Sequence, residues 1–320
     1  MLHKDPRDTC CLFGGRCRRG CTVSEVQFGV QTDCRGTATP RCCINAGPAR
    51  PAAVTTTTAR PPPLSVAQRQ GQCGANPVIQ PRVVGGAPVS PGNWPWMVRF
   101  VFTTNAPQGT CAGVLVDDDT VITVAHCVVG VQPSQMRVFV GDVNVAAFDP
   151  DEELVNVLSV ELNGNYRRGV RGNDFAVVKL TRRITFTNNK LPACLPDPAT
   201  PVNLGAQCFV AGWGVDETGQ VSQVLRAARV QQMDTTVCSA ILSAVSGNPT
   251  STVVPQDVLC TDPTQTQAGA CLYDDGGMLA CPDRNGRYTL EGLVSEYSCG
   301  NVPTVYTRVS NYTEAILARL

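Results

Sequence analysis

Short runs of β-branched and aromatic residues recur along the chain after residue 73, and clusters of Gly, Pro, Asn and Asp separate them. Runs of this length between turn-forming residues are typical of β-strands. The clearest runs are 96–102, 113–116, 120–124, 137–140, 175–180 and 207–211. Only residues 312–320 have the spacing of a helix, with Ser310 or Asn311 as its cap. The pattern predicts an all-β sandwich or barrel that ends in a helix.

The first 46 residues differ, because they combine little apolar content with seven cysteines and end in a Cys-Cys pair. So short a segment cannot bury enough surface to fold alone, and disulfides must substitute for a core. Their connectivity stays open, and Cys10 is left over if the other six form bridges. Residues 47–72 are rich in Pro and Thr, which favours an extended stalk. We predict a cystine-rich module at 1–46 and a linker at 47–72.

Composition narrows the class of protein. Hydrophobic residues make up 43% of the 320 residues and charged residues 16%, which is enough apolar surface for a core. No apolar run reaches about 18 residues, so we predict no membrane span. Seventeen cysteines indicate an oxidising compartment, hence a secreted protein. The first eight residues lack the apolar stretch of a secretory signal, so we expect a mature form or a sequence without its first exon.

The formal net charge of zero conceals an asymmetry. Residues 1–50 carry a net charge of +4, residues 51–82 add three arginines, and residues 83–320 carry a net charge of −7. Two interpretations stay open: the basic head reaches anionic surfaces or its own acidic body, or the charge only keeps the protein soluble. We expect no nucleic-acid partner.

The segment 271–281 is the most informative stretch and reads Cys-Leu-Tyr-Asp-Asp-Gly-Gly-Met-Leu-Ala-Cys. It resembles the nucleophile loop of the chymotrypsin family, Cys-x-Gly-Asp-Ser-Gly-Gly-Pro-Leu-x-Cys, with Asp275 in the place of the serine. The resemblance covers about residues 73–320. It implies two six-stranded antiparallel β-barrels with a cleft between them and a C-terminal helix.

Two further motifs resemble the rest of the family's catalytic triad. The stretch 123–127, Thr-Val-Ala-His-Cys, resembles the motif of the catalytic histidine, here His126. The stretch 172–180 resembles the segment with the buried aspartate, here Asp174. A single histidine is more often structural than catalytic, and His126 is the only histidine beyond His3.

The stretch 82–86, Arg-Val-Val-Gly-Gly, resembles the family's activation site. The resemblance implies cleavage after Arg82, which leaves 73–82 as an activation segment and 83–320 as the protease-like domain. The new ammonium group of Val83 would then pair with the buried carboxylate of Asp274.

The resemblance also implies five disulfides among the ten cysteines of the body. They are Cys73–Cys194, Cys111–Cys127, Cys208–Cys281, Cys238–Cys260 and Cys271–Cys299. The first would keep the head attached after cleavage.

The chain departs from the family pattern around the cleft. The Asp275 carboxylate offers no proton for His126 to abstract and would hold the ring as an imidazolium. Tyr273 replaces the glycine of the oxyanion donor. A side chain is disfavoured at this position, which requires a positive φ, and can turn the N–H away. The resemblance places the specificity pocket and the substrate strand at Gly269, Ser295, Glu296, Tyr297 and Thr304. Gly269 offers no carboxylate to receive Arg or Lys, and Glu296 and Tyr297 put bulk and charge where substrate should lie. We therefore expect a pseudoprotease and not an enzyme.

An acidic loop with Asp142, Asp149 and Glu152 resembles the calcium loop of some relatives. A solvated acidic loop is the favoured interpretation, and we expect no other cofactor. Residues 311–313 form a glycosylation sequon at Asn311, although a capping role for Asn311 is the favoured interpretation.

Activation residues beside a lost nucleophile resemble the secreted serine protease homologues of arthropod immunity. The head resembles the clip modules of arthropod proteases and, about equally, defensin-like peptides. The resemblance implies a non-catalytic regulator of prophenoloxidase cascades and melanisation, activated by an upstream trypsin-like protease. Its partners would be other cascade proteins, prophenoloxidase or microbial surfaces. The alternatives are a pattern-recognition or antimicrobial protein acting through residues 1–46, and an active endopeptidase of unusual mechanism.

Overall fold

The computed structural model describes three strands of the N-terminal unit and most of the chain from Cys73 onward. The described residues are 16–18, 25–28, 41–45, 73–75, 86–103, 110–199, 201, 203–246, 256–266, 268–283 and 285–320. The predictions for the linker, for Cys10 and for the cleavage site at Arg82 and Val83 lie outside these residues. The chain divides into two units, 1–63 and 64–320.

The N-terminal unit contains a three-stranded antiparallel sheet. Its strands are β1 (Arg16–Arg18), β2 (Glu25–Phe28) and β3 (Arg41–Asn45), in the order β1-β3-β2.

The larger unit begins with a short strand β4 (Ala87–Pro88), followed by a closed antiparallel barrel. The barrel strands are β5 (Met97–Phe102), β6 (Cys111–Asp117), β7 (Thr120–Thr123), β8 (Met136–Val140), β9 (Glu153–Leu162) and β10 (Ala176–Leu180). They are connected in the order β10-β7-β6-β5-β8-β9. In β8, Met136, Val138 and Val140 are buried and alternate with more exposed residues, so one face of the strand fills the core.

A second antiparallel barrel follows. Its strands are β11 (Gln207–Gly212), β12 (Arg226–Met233), β13 (Val258–Asp262), β14 (Met278–Pro282), β15 (Tyr288–Glu296) and β16 (Thr304–Arg308). The order is β11-β14-β15-β16-β13-β12, β11 also pairs with β12, and β4 adds to the free edge of β12. The prediction of two six-stranded barrels is confirmed.

One apolar core cluster spans both barrels, and two smaller clusters lie in the second barrel. Trp96 from the start of the first barrel is fully buried, and its Nε1 donates to the sulfur of Met278 in the second, at 3.0 Å. This contact packs the two barrels against each other.

The helices correct two sequence predictions. Besides α1 (Ala125–Val128), the chain forms α2 (Thr235–Ser246), α3 (Pro263–Thr266) and α4 (Thr313–Leu317). The prediction of one helix only was wrong, because the β-branched content of α2 hides its start signal. Asp234 Oδ1 accepts the N–H groups of Thr236 and Val237, at 2.8 and 3.1 Å, as a helix cap does.

The predicted cap of the C-terminal helix was also wrong. A 3₁₀ turn (Val309–Tyr312) precedes α4, so the capping position falls on Tyr312 and no side chain caps the helix. Ser310 instead accepts a hydrogen bond from Arg308 Nε, at 2.8 Å. Asn311 is exposed, which leaves its amide open to modification.

Five disulfides connect the ten cysteines from Cys73 onward. They are Cys73–Cys194, Cys111–Cys127, Cys208–Cys281, Cys238–Cys260 and Cys271–Cys299, the pairs that the family resemblance implies. Among the described residues, every helix is too short or too polar to cross a membrane.

Candidate functional site

His126 is held by a carboxylate from the same barrel. It lies in α1, directly after β7, and its backbone N–H donates to Asp174 Oδ1 at 2.9 Å. Its ring Nδ1 lies 2.7 Å from Asp174 Oδ2, which also accepts the hydroxyl of Ser295 at 2.7 Å. Asp174 is buried, so this carboxylate fixes both the position and the orientation of the ring.

The other ring nitrogen faces a second carboxylate. His126 Nε2 lies 3.3 Å from Asp275 Oδ1, so the imidazole lies between two acids. Burial alone would lower the pKa of His126, but hydrogen bonds and charges from Asp174 and Asp275 outweigh it and raise the pKa to about 10. At neutral pH the protonated His126 ring therefore forms ion pairs with both Asp174 and Asp275, and we call these three residues the ion-pair triad.

A pH titration tests this triad. We expect the pKa of His126 by NMR to be about 10, with the signal of His3 identified in a His3→Gln variant. Because the pKa rises on folding, the triad stabilises the fold fully below about pH 6.5, and this stabilisation disappears as the pH rises through about 10. Asp275→Asn should bring the pKa down, since it removes one of the two charges. A wild-type pKa at or below 6.5 would contradict the geometry.

Tyr273 stands two residues before Asp275 and has φ +75°. Few non-glycine residues adopt this left-handed conformation, which costs about 1–3 kcal/mol. The family resemblance implies a positive φ at this position. The backbone keeps it although Tyr273 carries a half-buried side chain. Tyr273 is a strained residue beside the ion-pair triad.

Asp274 points away from His126 into the second barrel. Its Oδ1 accepts the N–H of Gly214 and its Oδ2 the N–H of Cys271, both at 2.8 Å. Side chains at two neighbouring glycines would collide with this carboxylate. A Cβ at Gly212 would lie 2.0 Å from Oδ1, and one at Gly214 would lie 2.6 Å from it. Sequence reasoning gave neither glycine a role, although both belong to the conspicuous Ala-Gly-Trp-Gly stretch.

A cavity of about 180 Å³ adjoins the Asp274 carboxyl group. Its lining includes Gly86, Gly269 and Arg226. Burial raises the pKa of Asp274 to about 6, against the effect of its two N–H donors, and the nearby charge of Asp275 adds to the rise. No lysine or arginine of the described residues forms an ion pair with it. Asp274 thus lies at this cavity without an ion-pair partner in the described part of the chain, because Arg226 pairs with Asp216 and Glu217.

Two of the positions predicted for a specificity pocket, Gly269 and Thr304, lie together. The buried Thr304 hydroxyl lies 3.2 Å from Ser298 Oγ. A Cβ at Gly269 would lie 2.8 Å from the same Thr304 hydroxyl. The threonine therefore fills the space beside Gly269. Glu296 bonds to Arg171, a residue that the sequence gave no reason to select, and Tyr297 is exposed.

The acidic loop of the first barrel brings three carboxylates together. One oxygen each of Asp142, Asp149 and Glu152 lies within 4.8 Å of the others. Asp142 is buried; its Oδ2 accepts from Arg99, whereas its Oδ1 has no hydrogen-bond partner. Burial raises the pKa of Asp142 and of Glu152. Hard oxygen donors with one unsatisfied atom fit a calcium ion.

Comparisons with known proteins identify a trypsin family model and relatives that are named as chymotrypsin-like proteins. Residues 83–316 match the family model described as Trypsin. The chain is 34% identical over 247 residues to chymotrypsin-like elastase family member 1 of Rattus norvegicus, across 74% of this chain and 88% of that protein. It is 32% identical over 247 residues to the same family member of Bos taurus, with the same coverage.

Proposed function

The chain belongs to the trypsin family of serine proteases, and from this premise we propose that it is a secreted, non-catalytic member of the family. Cleavage after Arg82 would switch its conformation, and the cleaved protein would act as a regulatory cofactor or binding protein in an extracellular proteolytic cascade of the prophenoloxidase type. The observation that carries the proposal is the carboxylate of Asp275 at 3.3 Å from His126 Nε2.

The chemistry of this contact argues against proteolysis. A triad needs a hydroxyl that a neutral imidazole can deprotonate. Asp275 offers a carboxyl group in place of that hydroxyl, and the raised pKa of His126 keeps the ring protonated at neutral pH. Attack of a carboxylate on a peptide bond would give an anhydride. These properties support a structural role for the triad.

The cavity beside Asp274 supports the proposed switch. Gly86 lines this cavity, and three residues separate it from the amino terminus that cleavage after Arg82 would create. Three extended residues span about 10 Å, enough for an ammonium group to enter the cavity. A cation that contacts a buried carboxylate directly offsets the free-energy cost of burying its charge. The disulfide Cys73–Cys194 would keep the head attached.

Labelling with an organophosphate tests the lack of a nucleophile. We expect the Arg82-cleaved protein to remain unlabelled under conditions that label trypsin completely, because the triad lacks a hydroxyl. Mass spectrometry of the intact protein measures the adduct. The proposal fails if the cleaved protein turns over any peptide or ester substrate and His126→Ala abolishes the turnover.

The names of the relatives favour a second candidate, an active endopeptidase of unusual mechanism. The turnover assay distinguishes it, with elastin included among the substrates. A third candidate, recognition of microbial surfaces through residues 1–46, depends on a part of the chain whose side chains the structure does not describe. Binding of full-length and head-deleted protein to microbial cells at physiological salt tests it, and equal binding would exclude the head.

The acidic loop is further proposed as a calcium site. Calcium at about 100 times its Kd should stabilise the fold by about 2.7 kcal/mol and raise the melting temperature. EDTA should reverse the effect. Glu152→Gln should weaken it, whereas Glu314→Gln on the exposed face of α4 should leave it unchanged. An equal response to calcium in all three proteins would remove Glu152 from the ligands.

A further inference from the structure

An arginine–glutamate ion pair joins the two barrels beside the triad. Arg171 Nε donates to Glu296 Oε1, and Arg171 Nη2 donates to Glu296 Oε2, both at 2.6 Å. The two side chains are 23% and 40% exposed. A two-point contact between a guanidinium and a carboxylate fixes orientation as well as distance, unlike most surface ion pairs. The pair therefore holds its two ends in one geometry.

The two ends lie next to the residues that fix His126. Arg171 stands three residues before Asp174, in the connection from β9 to β10 of the first barrel. Glu296 is the last residue of β15 in the second barrel, and its neighbour Ser295 donates to Asp174. The ion pair and this hydrogen bond thus cross the same boundary between the barrels, one residue apart along β15.

The end of β15 has an unpaired edge. Strand β14 pairs with β15 as far as Leu293, and the backbone of Val294 bonds to Gly276 and Gly277. On that side, no described backbone group bonds to residues 295–297. An unpaired strand edge is a template for a further extended chain. The Glu296 side chain leaves this edge and reaches Arg171.

We propose that the Arg171–Glu296 pair is a latch that closes the groove between the barrels and keeps extended peptides off the edge at 295–297. A peptide that entered the groove would have to break two charge-assisted hydrogen bonds before it gained any of its own. The latch is independent of Asp275. The latch excludes a peptide from the groove, whereas Asp275 replaces the nucleophile. Two separate features, the Arg171–Glu296 pair and Asp275, thus prevent the cleavage of substrates.

Salt should open the latch in part, because both side chains are partly exposed. The screening length falls from about 10 Å in 0.1 M salt to about 3 Å in 1 M salt. The apolar side chains of Val170 and Tyr297 are exposed beside the two ends, at 62% and 43%. An open latch therefore offers a docking chain both a strand edge and apolar contacts.

The test uses full-length protein and a matched pair of variants. Glu296→Gln weakens the latch, and Glu161→Gln weakens a similar two-point pair between Glu161 and Arg319, which joins β9 to the C-terminus. The probe is a reactive-loop protein inhibitor that presents an extended binding segment, and calorimetry measures its Kd. Hydrogen exchange of residues 294–298 gives a second measurement that needs no ligand.

We expect Glu296→Gln to bind the inhibitor about tenfold more tightly than wild type, which corresponds to about 1.4 kcal/mol. Exchange at 294–298 should also become faster, and Glu161→Gln should match wild type in both measurements. The proposal is overturned if Glu296→Gln changes neither Kd nor exchange, or if Glu161→Gln changes both equally. Organophosphate labelling answers the separate question of the missing nucleophile, so the two proposals can fail independently.

Discussion

Alanine at position 212 is expected to lower the free energy of unfolding by about 3 kcal/mol or more. Its Cβ would lie 2.0 Å from Asp274 Oδ1 and 2.8 Å from Asp274 Cγ, so the carboxylate must move. Overpacking of this kind costs about 1–3 kcal/mol. The displaced carboxylate would also leave the N–H groups of Gly214 and Cys271 without their acceptor, at about 1–3 kcal/mol each. Urea denaturation measures the sum.

Gly164 provides the matched control. A Cβ there meets no atom within 4 Å, so Gly164→Ala should be close to neutral. Adding Asp274→Ala to Gly212→Ala removes the clash, and the double mutant should be more stable than the additive sum of the two single changes. Equal stability of Gly212→Ala and Gly164→Ala would show that Asp274 does not occupy the position described.

Cleavage after Arg82 is expected to stabilise the protein by about 3 kcal/mol at neutral pH. Before cleavage, the pKa of Asp274 is raised from 3.8 to about 6. A carboxyl whose pKa is raised on folding favours the fold when protonated, and this stabilisation is lost as the pH rises from about 4 through about 6. The loss is about 3 kcal/mol. The new ammonium group would offset it by pairing with the ionised carboxylate.

Differential scanning calorimetry of cleaved and uncleaved protein measures this effect. The melting temperature should rise by roughly 6–12 °C at pH 7 after cleavage. The difference should shrink toward pH 4, where Asp274 is protonated and needs no cation. Asp274→Asn should abolish the difference at every pH. A pH-independent rise in both wild type and Asp274→Asn would mean that cleavage acts elsewhere.

The local sequence pattern predicted an all-β fold, the two six-stranded barrels followed from the family resemblance, and the local pattern was insufficient for the helices. The strand runs are bounded by turn residues; β6 and β7 are buried at every position, whereas β8 alternates between buried and more exposed residues. Helix α2 was missed because its threonines, valines and isoleucine favour strands in isolation. Asp234 as its cap and the buried Cys238 outweigh that preference only in the folded chain. The cap predicted for α4 failed because a 3₁₀ turn moved the helix start.

The sequence by itself determined the fold, the pairs of cysteines that the family resemblance implies, and the presence of Asp275 where the family has its serine. These features depend on residue type and on spacing along the chain. Only the tertiary structure decided that Glu296 pairs with Arg171 and that Asp274 accepts the N–H groups of Gly214 and Cys271. The partner of Glu296 lies 125 residues away, on the other barrel. Two side chains so distant meet only through the docking of the barrels, which packing of the shared core sets and which spacing along the chain does not encode.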